Sequence, residues 1–495
     1  MSERVGRSVR RAALAMGASL ALAALGCGER ALHPSDPAAD LALGELEDAA
    51  LFSDGTVVAA GHTGMDGARN LAVVAFDAFG TPRWLREEAI DPTVDARADA
   101  VEVDAGDRVL VAGSILSPTS SRGVVLAYDK SGAPLWQTEP FAQGSAELYA
   151  LAVQGSAVYV TGYARHADPH ASPTEPPIQG IAVARLDAAS GVVEWQDIAA
   201  ETPDPLRVSA GLSIAVDASG VVGVGGVAGF PDSRIEWFVG TWTSGGERRW
   251  QDVQDGPPGS AAPSAETGQI DVARKVAFDS QGDLYAVGDL AFEQLGTDLT
   301  LLKYAPDGSR SWMFRRDQVL ADGTPSFDEG HALAVGADGE WVAGGMAMLG
   351  DGYVEAEGLA ANLDPGGAVR WAAQLSDPSL SGEEIDDLVP DPDGPLYYGG
   401  SDSDGSIGKH VVIEKVDRDG TPLWTRHLTR EGDSSHDLDR VNRLLLGTSG
   451  DLIAVGEDRG GPNVPDEPLA MSLDRVTGDL LWAYPPGLTA RAVIE

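Results

Sequence analysis

Short apolar runs separated by glycine, aspartate and proline recur along almost the whole chain. Residues 329–373, EGHALAVGADGEWVAGGMAMLGDGYVEAEGLAANLDPGGAVRWAA, show the unit. An apolar run (HALAV) meets a tight turn (GADG), a second run (EWVAGG) leads into a longer loop, and a third (GLAANL) reaches another tight turn (DPGG) before a fourth (AVRWAA). Runs of this length bounded by turn chemistry predict four antiparallel strands, A to D. The second run of each unit is continuously apolar: VVAAG, VLVAG, VYVTG, VGVGG, LYAVG, WVAGG, LYYGG and LIAVG, ending at Gly61, Gly113, Gly162, Gly226, Gly288, Gly345, Gly400 and Gly456. A strand apolar on both faces is buried on both faces. The glycine at its end predicts close backbone approach where sheets converge.

A second periodicity locks the register of the units. Gly-x-x-x-Trp occurs at Gly80/Trp84, Gly132/Trp136, Gly191/Trp195, Gly246/Trp250, Gly308/Trp312, Gly367/Trp371, Gly420/Trp424 and Gly478/Trp482. Successive tryptophans lie 52, 59, 55, 62, 59, 53 and 58 residues apart, a period that marks repeat architectures. Eight four-stranded sheets buried on both faces predict an all-β fold, an eight-bladed β-propeller of four-stranded antiparallel blades over residues 43–487. Asp77, Asp129, Asp187, Asp364, Asp417 and Asp474 end the C strands, the glycine takes the positive φ of a tight turn, and the tryptophan rides on the D strand. The expected role of these tryptophans is to hold neighbouring blades together. The last segment, LTARAVIE (488–495), resembles the opening of another A strand and is a candidate closing strand against blade one.

Composition narrows the function. A formal net charge of −41 argues against nucleic acid, which demands clustered cations, and suits basic partners or cations. The N-terminus lies outside the repeats. Arg4, Arg7, Arg10 and Arg11 precede an uncharged stretch from Ala12 to Gly26, too short for a comfortable membrane span and matched to a signal-peptide core. Residues 1–26 are therefore expected to be a signal peptide. Cys27, the only cysteine, is expected to carry a lipid, and residues 27–42 to form a tether.

Two resemblances follow from these residues. ALGC resembles the bacterial lipobox, in which the cysteine is diacylated, and Gly28 rather than Asp after it favours the outer membrane by likeness to Gram-negative lipoproteins. LDAASGVVEW (186–195) and LDRVTGDLLW (473–482) resemble the docking motif of PQQ-like, quinoprotein-dehydrogenase-type propellers. That resemblance implies a propeller, but the dehydrogenases add a vicinal disulfide, a calcium held by Glu and Asn, and a catalytic Asp. One cysteine cannot form the disulfide, and asparagine occurs only at Asn70, Asn362, Asn442 and Asn463. No catalytic residue and no cofactor are therefore expected, since a shared fold does not carry activity with it.

Metal candidates in the sequence fall short of a site. His166, Asp168 and His170 stand together in one Pro-rich loop, and Asp402 and Asp404 in another. Neither supplies the three or four fixed ligands a zinc site uses, nor the distal glutamate of a calcium loop, so no metal is expected. His62, His331, His427 and His436 show no nucleophile arrangement. A lipid-tethered propeller is similar to the propeller lipoprotein subunit of the β-barrel assembly machinery, which implies a monomeric scaffold for a protein partner. A surface carbohydrate-binding or adhesive propeller is the alternative. The A–B and C–D turns are short, whereas the B–C and D–A loops include 164–180, 254–269, 430–439 and 457–468. Long acidic loops on a rigid scaffold are the expected binding face, with a basic partner.

Overall fold

The computed structural model describes residues 43–492 apart from 65–67, 89–93, 167–176, 203–208, 231–234, 255–270, 293–295, 317–326, 336–340, 349–355, 376–380, 404–409, 431–439, 449, 459–466 and 486–487. Every regular element among these residues is a strand. Eight sheets form, each from four consecutive strands, and the fold is an all-β, eight-bladed β-propeller. The blades span 43–88, 95–138, 146–202, 210–254, 272–316, 327–375, 381–430 and 440–484.

The B strands have the burial their composition requires. Val57–Thr63 in blade one and Val222–Gly229 in blade four are buried at every position, because apolar residues on both faces meet a neighbouring sheet on each side. D strands are the wetter edge: Arg310–Arg316 is exposed or half-buried throughout, and so is Arg248–Gln254 up to its buried last residue.

Packing divides the chain into two compact units. The first includes Leu110–Ala127 and Leu135–Gly330, with blades three to five entire. Its core joins Tyr159, Ile181 and Val183 of blade three to Val222, Val224, Phe238 and Trp242 of blade four. The second includes Leu25–Val109, Tyr128–Pro134 and His331–Glu495. In it the first and last repeats share a core, with Leu46, Val57, Ala59, Val74 and Phe76 against Ile453, Val455, Ala470 and Tyr484. Among the described residues no strand is exchanged between those two repeats. The C-terminal strand Leu488–Ala492 pairs antiparallel with the D strand of blade seven, Pro422–Arg430, from Leu488 opposite Arg430 to Ala492 opposite Arg426. The tail thus extends blade seven to five strands instead of closing onto blade one. An A-strand-like sequence can join any open strand edge, and the D edge of blade seven is the one it meets.

Candidate functional site

The A strands share one irregularity, and it positions most of the buried charge. In blades one, three, four, five, seven and eight the A–B register slips by one residue at the same column, leaving Glu47, Tyr149, Leu212, Arg274, Asp386 and Asn442 as the extra residue. Such a bulge bends the strand and re-aims the side chains around it. It also explains the B-strand glycines. A Cβ on Gly61 would lie 1.9 Å from the Glu45 carbonyl oxygen, on Gly162 1.9 Å from that of Glu147, on Gly288 1.9 Å from that of Val272, on Gly400 1.7 Å from that of Glu384 and on Gly456 2.0 Å from that of Arg440. The close approach comes from the glycine's own A strand, pushed inward by the bulge, and not from a converging neighbour sheet.

The residue after the bulge ties one repeat to the next. Val101 N donates to Asp48 Oδ2 at 2.9 Å, Val276 N to Ser213 Oγ at 3.1 Å and Leu444 N to Asp387 Oδ2 at 2.9 Å. The A strand is a sheet edge, so its outward amides need partners from elsewhere. A short acceptor on the preceding blade supplies one.

In the second unit the bulge column carries a dense set of ions. Arg440 Nε lies 3.1 Å from Glu457 Oε1, and another guanidinium nitrogen lies 3.7 Å from Glu45 Oε1. Asn442 Nδ2 donates to the Leu46 carbonyl at 2.9 Å, joining blade eight to blade one. Arg443 lies 3.4 Å from Asp48 and 3.7 Å from Asp387. Burial works against both guanidinium charges. Glu457, Asp386, Glu45 and Glu47 around Arg440, and Asp387, Asp48 and Glu102 around Arg443, more than reverse it, so both stay firmly protonated. Glu102 is pushed up to about 7, first by burial and then by the Asp48 carboxylate, with Arg443 pulling the other way.

Beside this network stand His331, Glu384 and Asp386. His331 Nδ1 is 3.3 Å from Glu384 Oε1 and 4.0 Å from Asp386 Oδ1, and one donor atom from each lies within 4.8 Å of the others. Glu384 is 5% exposed and the other two side chains 13% and 12%. Of the arrangements among the described residues, this is the one whose donors suit a metal ion.

The first unit has its own polar clusters. Arg274 bridges Asp289 and Glu329 at 2.5 and 2.9 Å. Tyr163 and Tyr149 hydroxyls donate to the two oxygens of the fully buried Glu147, at 2.8 and 3.0 Å. Burial and the Glu147 charge raise the Tyr163 phenol above its usual range. A tyrosine held neutral beside a carboxylate is a structural hydrogen bond, not an activated nucleophile.

Seven of the Gly-x-x-x-Trp tryptophans reach across to a glycine of a neighbouring repeat. A Cβ on Gly132 would strike the Trp84 ring at 2.6 Å, and the same relation joins Gly191 to Trp136, Gly246 to Trp195, Gly308 to Trp250, Gly420 to Trp371, Gly478 to Trp424 and Gly80 to Trp482. Each of these glycines also has φ between +70° and +89°, so a side chain is opposed on two counts. The indole Nε1 donates to a carbonyl of the turn it covers, from Trp84 to Lys130 at 3.1 Å, from Trp136 to Ala188 at 3.1 Å and from Trp195 to Ser244 at 2.9 Å.

Trp312, like Trp195 with Tyr159 and Trp424 with Tyr397, packs on a tyrosine of its own blade. Its described ring contact lies inside its own blade: the half-buried indole stands edge-on to Tyr285, with centroids 5.7 Å apart. Strand register explains the pairing. Trp312 on the D strand lies opposite Lys303 on the C strand, and Lys303 lies opposite Tyr285 on the B strand, so the three side chains share one face of blade five. The Lys303 ammonium, 4.9 Å from the Tyr285 ring centre, completes the stack.

The turn aspartates are equally occupied. Asp129 Oδ1 accepts from Ser131 N and Ala133 N, and Asp417 Oδ1 from Asp419 N and Thr421 N. A share of the chain's acidity is therefore structural.

Other sequence candidates fall apart or outside. Cys27, Asp168, His170 and Asp404 lie outside the described residues, as do 167–176, 255–270, 431–439 and 459–466 of the long loops. His166 Nε2 sits 3.5 Å from Glu201, and Asp402 faces His410 across a strand pair. The sequence reading missed Glu384 and Asp386 altogether and left His331 unassigned. Aligning the A strands would have found them, because EGHAL (329–333) and EIDDL (384–388) place His331 and Asp386 in the same column of successive repeats.

These features define a β-propeller whose blades are docked by tryptophan and whose A strands carry a buried ion network. The sequence family described as outer membrane protein assembly factor BamB matches residues 69–297. No protein of curated function matches the chain. Among solved structures the fold is similar to Sqt1 of Chaetomium thermophilum, with a TM-score of 0.51 at 12% identity over 84% of this chain and 94% of that one. Sqt1 bound to the N-terminus of the ribosomal protein L10 gives 0.50 at 13% identity over 83% and 94%. At such identities the likeness is one of fold.

Proposed function

We propose that this chain is a non-catalytic scaffold of the bacterial cell envelope, anchored by a lipid on Cys27, that captures a protein partner through its long B–C and D–A loops. The observation that carries the reading is the match of residues 69–297 to the outer membrane assembly-factor family, on a chain whose one cysteine follows an uncharged, apolar stretch. A propeller of similar fold holding the N-terminus of another protein is in keeping with it. Tryptophan docking and A-strand ties hold the blades within each unit, and loops on a packed scaffold vary at little cost to stability. The acidity of those loops selects a basic partner.

Crosslinking in native membranes followed by capture of the chain tests the reading. A defined envelope partner should be recovered from the native chain and lost when 164–180 and 254–269 are replaced by short Gly-Ser turns, with the melting curve unchanged. Fatty-acid labelling should disappear in Cys27→Ser. Labelling that persists overturns the anchor, and capture that survives the loop replacements overturns the binding face.

A further inference from the structure

The geometry points to a divalent transition-metal site formed by His331, Glu384 and Asp386, with Zn2+ its best-matched ion. The three residues come from the A strands of two successive blades, Phe327–Val335 and Ser381–Pro390. A tetrahedral zinc with ligands at about 2.0–2.2 Å sets its donor atoms roughly 3.4 Å apart. His331 Nδ1 and Glu384 Oε1 already stand at 3.3 Å, and Asp386 Oδ1 at 4.0 Å from the same nitrogen. All three donors lie within 4.8 Å of one another, so the third corner is about an ångström from closed. One imidazole with two carboxylates selects zinc, manganese, iron or cobalt over magnesium and calcium, which prefer oxygen alone. Three protein ligands leave the fourth position to water or to a partner's side chain.

The surrounding charge favours a cation independently. Glu45, Asp48, Glu384, Asp386, Asp387 and Glu457 crowd the same A-strand network, with Arg440 and Arg443 among them. Arg440 pairs with Glu457 and Glu45, and Arg443 with Asp48 and Asp387. Glu384 and Asp386 both approach the His331 ring nitrogen, and Asp386 also adds to the negative charge around Arg440. Two largely buried carboxylates brought to one point repel each other, and a dication between them offsets that repulsion. The bulge supports the placement, since it turns the Asp386 column out of the regular strand alternation.

The competing account is a plain hydrogen bond from His331 Nδ1–H to Glu384. Metal content and melting temperature separate the two. The full chain, stripped with chelator and dialysed against Zn2+, Mn2+ or Ca2+, should retain one Zn2+ per chain by atomic emission and melt several degrees higher with zinc than without. Mn2+ should bind more weakly and Ca2+ should leave the melting temperature unmoved. His331→Ala and Asp386→Asn should each weaken zinc binding at least tenfold and abolish the zinc-dependent rise, whatever their melting temperature without metal. His166→Ala should leave zinc content unchanged. Substoichiometric zinc, zinc binding that survives both substitutions, or loss of zinc in His166→Ala overturns the site.

Discussion

Replacing Gly61 by Ala tests the reason for the glycine that recurs within the B strands. A Cβ there would stand 1.9 Å from the Glu45 carbonyl oxygen, 2.8 Å from its carbon and 3.0 Å from Leu46 Cα. Ordinary contact between heavy atoms is about 3.5 Å, so the two backbones must part by more than an ångström. Overpacking costs typically about 1–3 kcal/mol even where side chains can yield, and here the obstacle is main chain. The lower entropy of an unfolded alanine returns only about 0.4–1 kcal/mol. A net loss of at least about 2 kcal/mol is expected. Gly155 supplies the contrast. It has φ +60° with nothing within 4 Å of its would-be Cβ, so Gly155→Ala incurs only the left-handed cost of about 1–2 kcal/mol, partly returned by the same entropy. Urea midpoints followed by tryptophan fluorescence measure both variants, and hydrogen exchange across residues 43–51 reports whether the bulged strand is loosened. If Gly61→Ala unfolds at the same urea concentration as Gly155→Ala and exchange over 43–51 is unchanged, the carbonyl's approach is not what demands glycine.

Glu102→Gln should stabilise the fold at alkaline pH. The folded Glu102 keeps its proton up to about 7 against an ordinary 4.5, so between those values the native state holds more protons than the unfolded one and stability falls as pH rises. The gain should be absent below about pH 4.5 and reach at most about 3 kcal/mol above 7, and a urea midpoint difference that does not change with pH rejects it. Trp84→Ala removes an indole that is 8% exposed, covers Gly132 and donates to Lys130, and should cost about 3–5 kcal/mol; a loss below 1 kcal/mol by the same assay contradicts the docking role. Deleting Leu488–Glu495 should leave the melting temperature nearly unchanged and raise exchange only in the strand Pro422–Arg430 that the tail covers, whereas increased exchange over 43–51 would place the tail on blade one after all.

The strands and turns were legible because their signals are local. A continuously apolar B run, an Asp-to-Gly turn and a tryptophan four residues on are all read within ten residues. What each of them touches was not. Trp84 meets Gly132 and Asp48 meets Val101, partners about fifty residues away that no periodicity names. The glycines were recognised as places of close approach, but the approaching group was misassigned, because a bulge adds one residue to a strand and leaves the apolar pattern nearly intact. The tail was read correctly as a strand by composition and given the wrong neighbour, since an extended segment pairs with whichever edge its tether lets it reach. His331, Glu384 and Asp386 escaped because donors on separate strands lack the spacing that marks a loop site, and emerge only when the repeats are stacked column by column.

The contact between Trp482 and Gly80 has the same chemistry as that between Trp84 and Gly132 or Trp424 and Gly478. The junction between the first and last repeats is thus chemically like the other junctions inside the same unit, and among the described residues no strand is exchanged across it. A circular permutant that joins residue 484 to residue 43 by a short linker and opens the chain between blades seven and eight would keep each of these docking contacts. Within this unit the blade that comes first in the chain holds no special place in the packing, since its docking contact with the last repeat is made like the others.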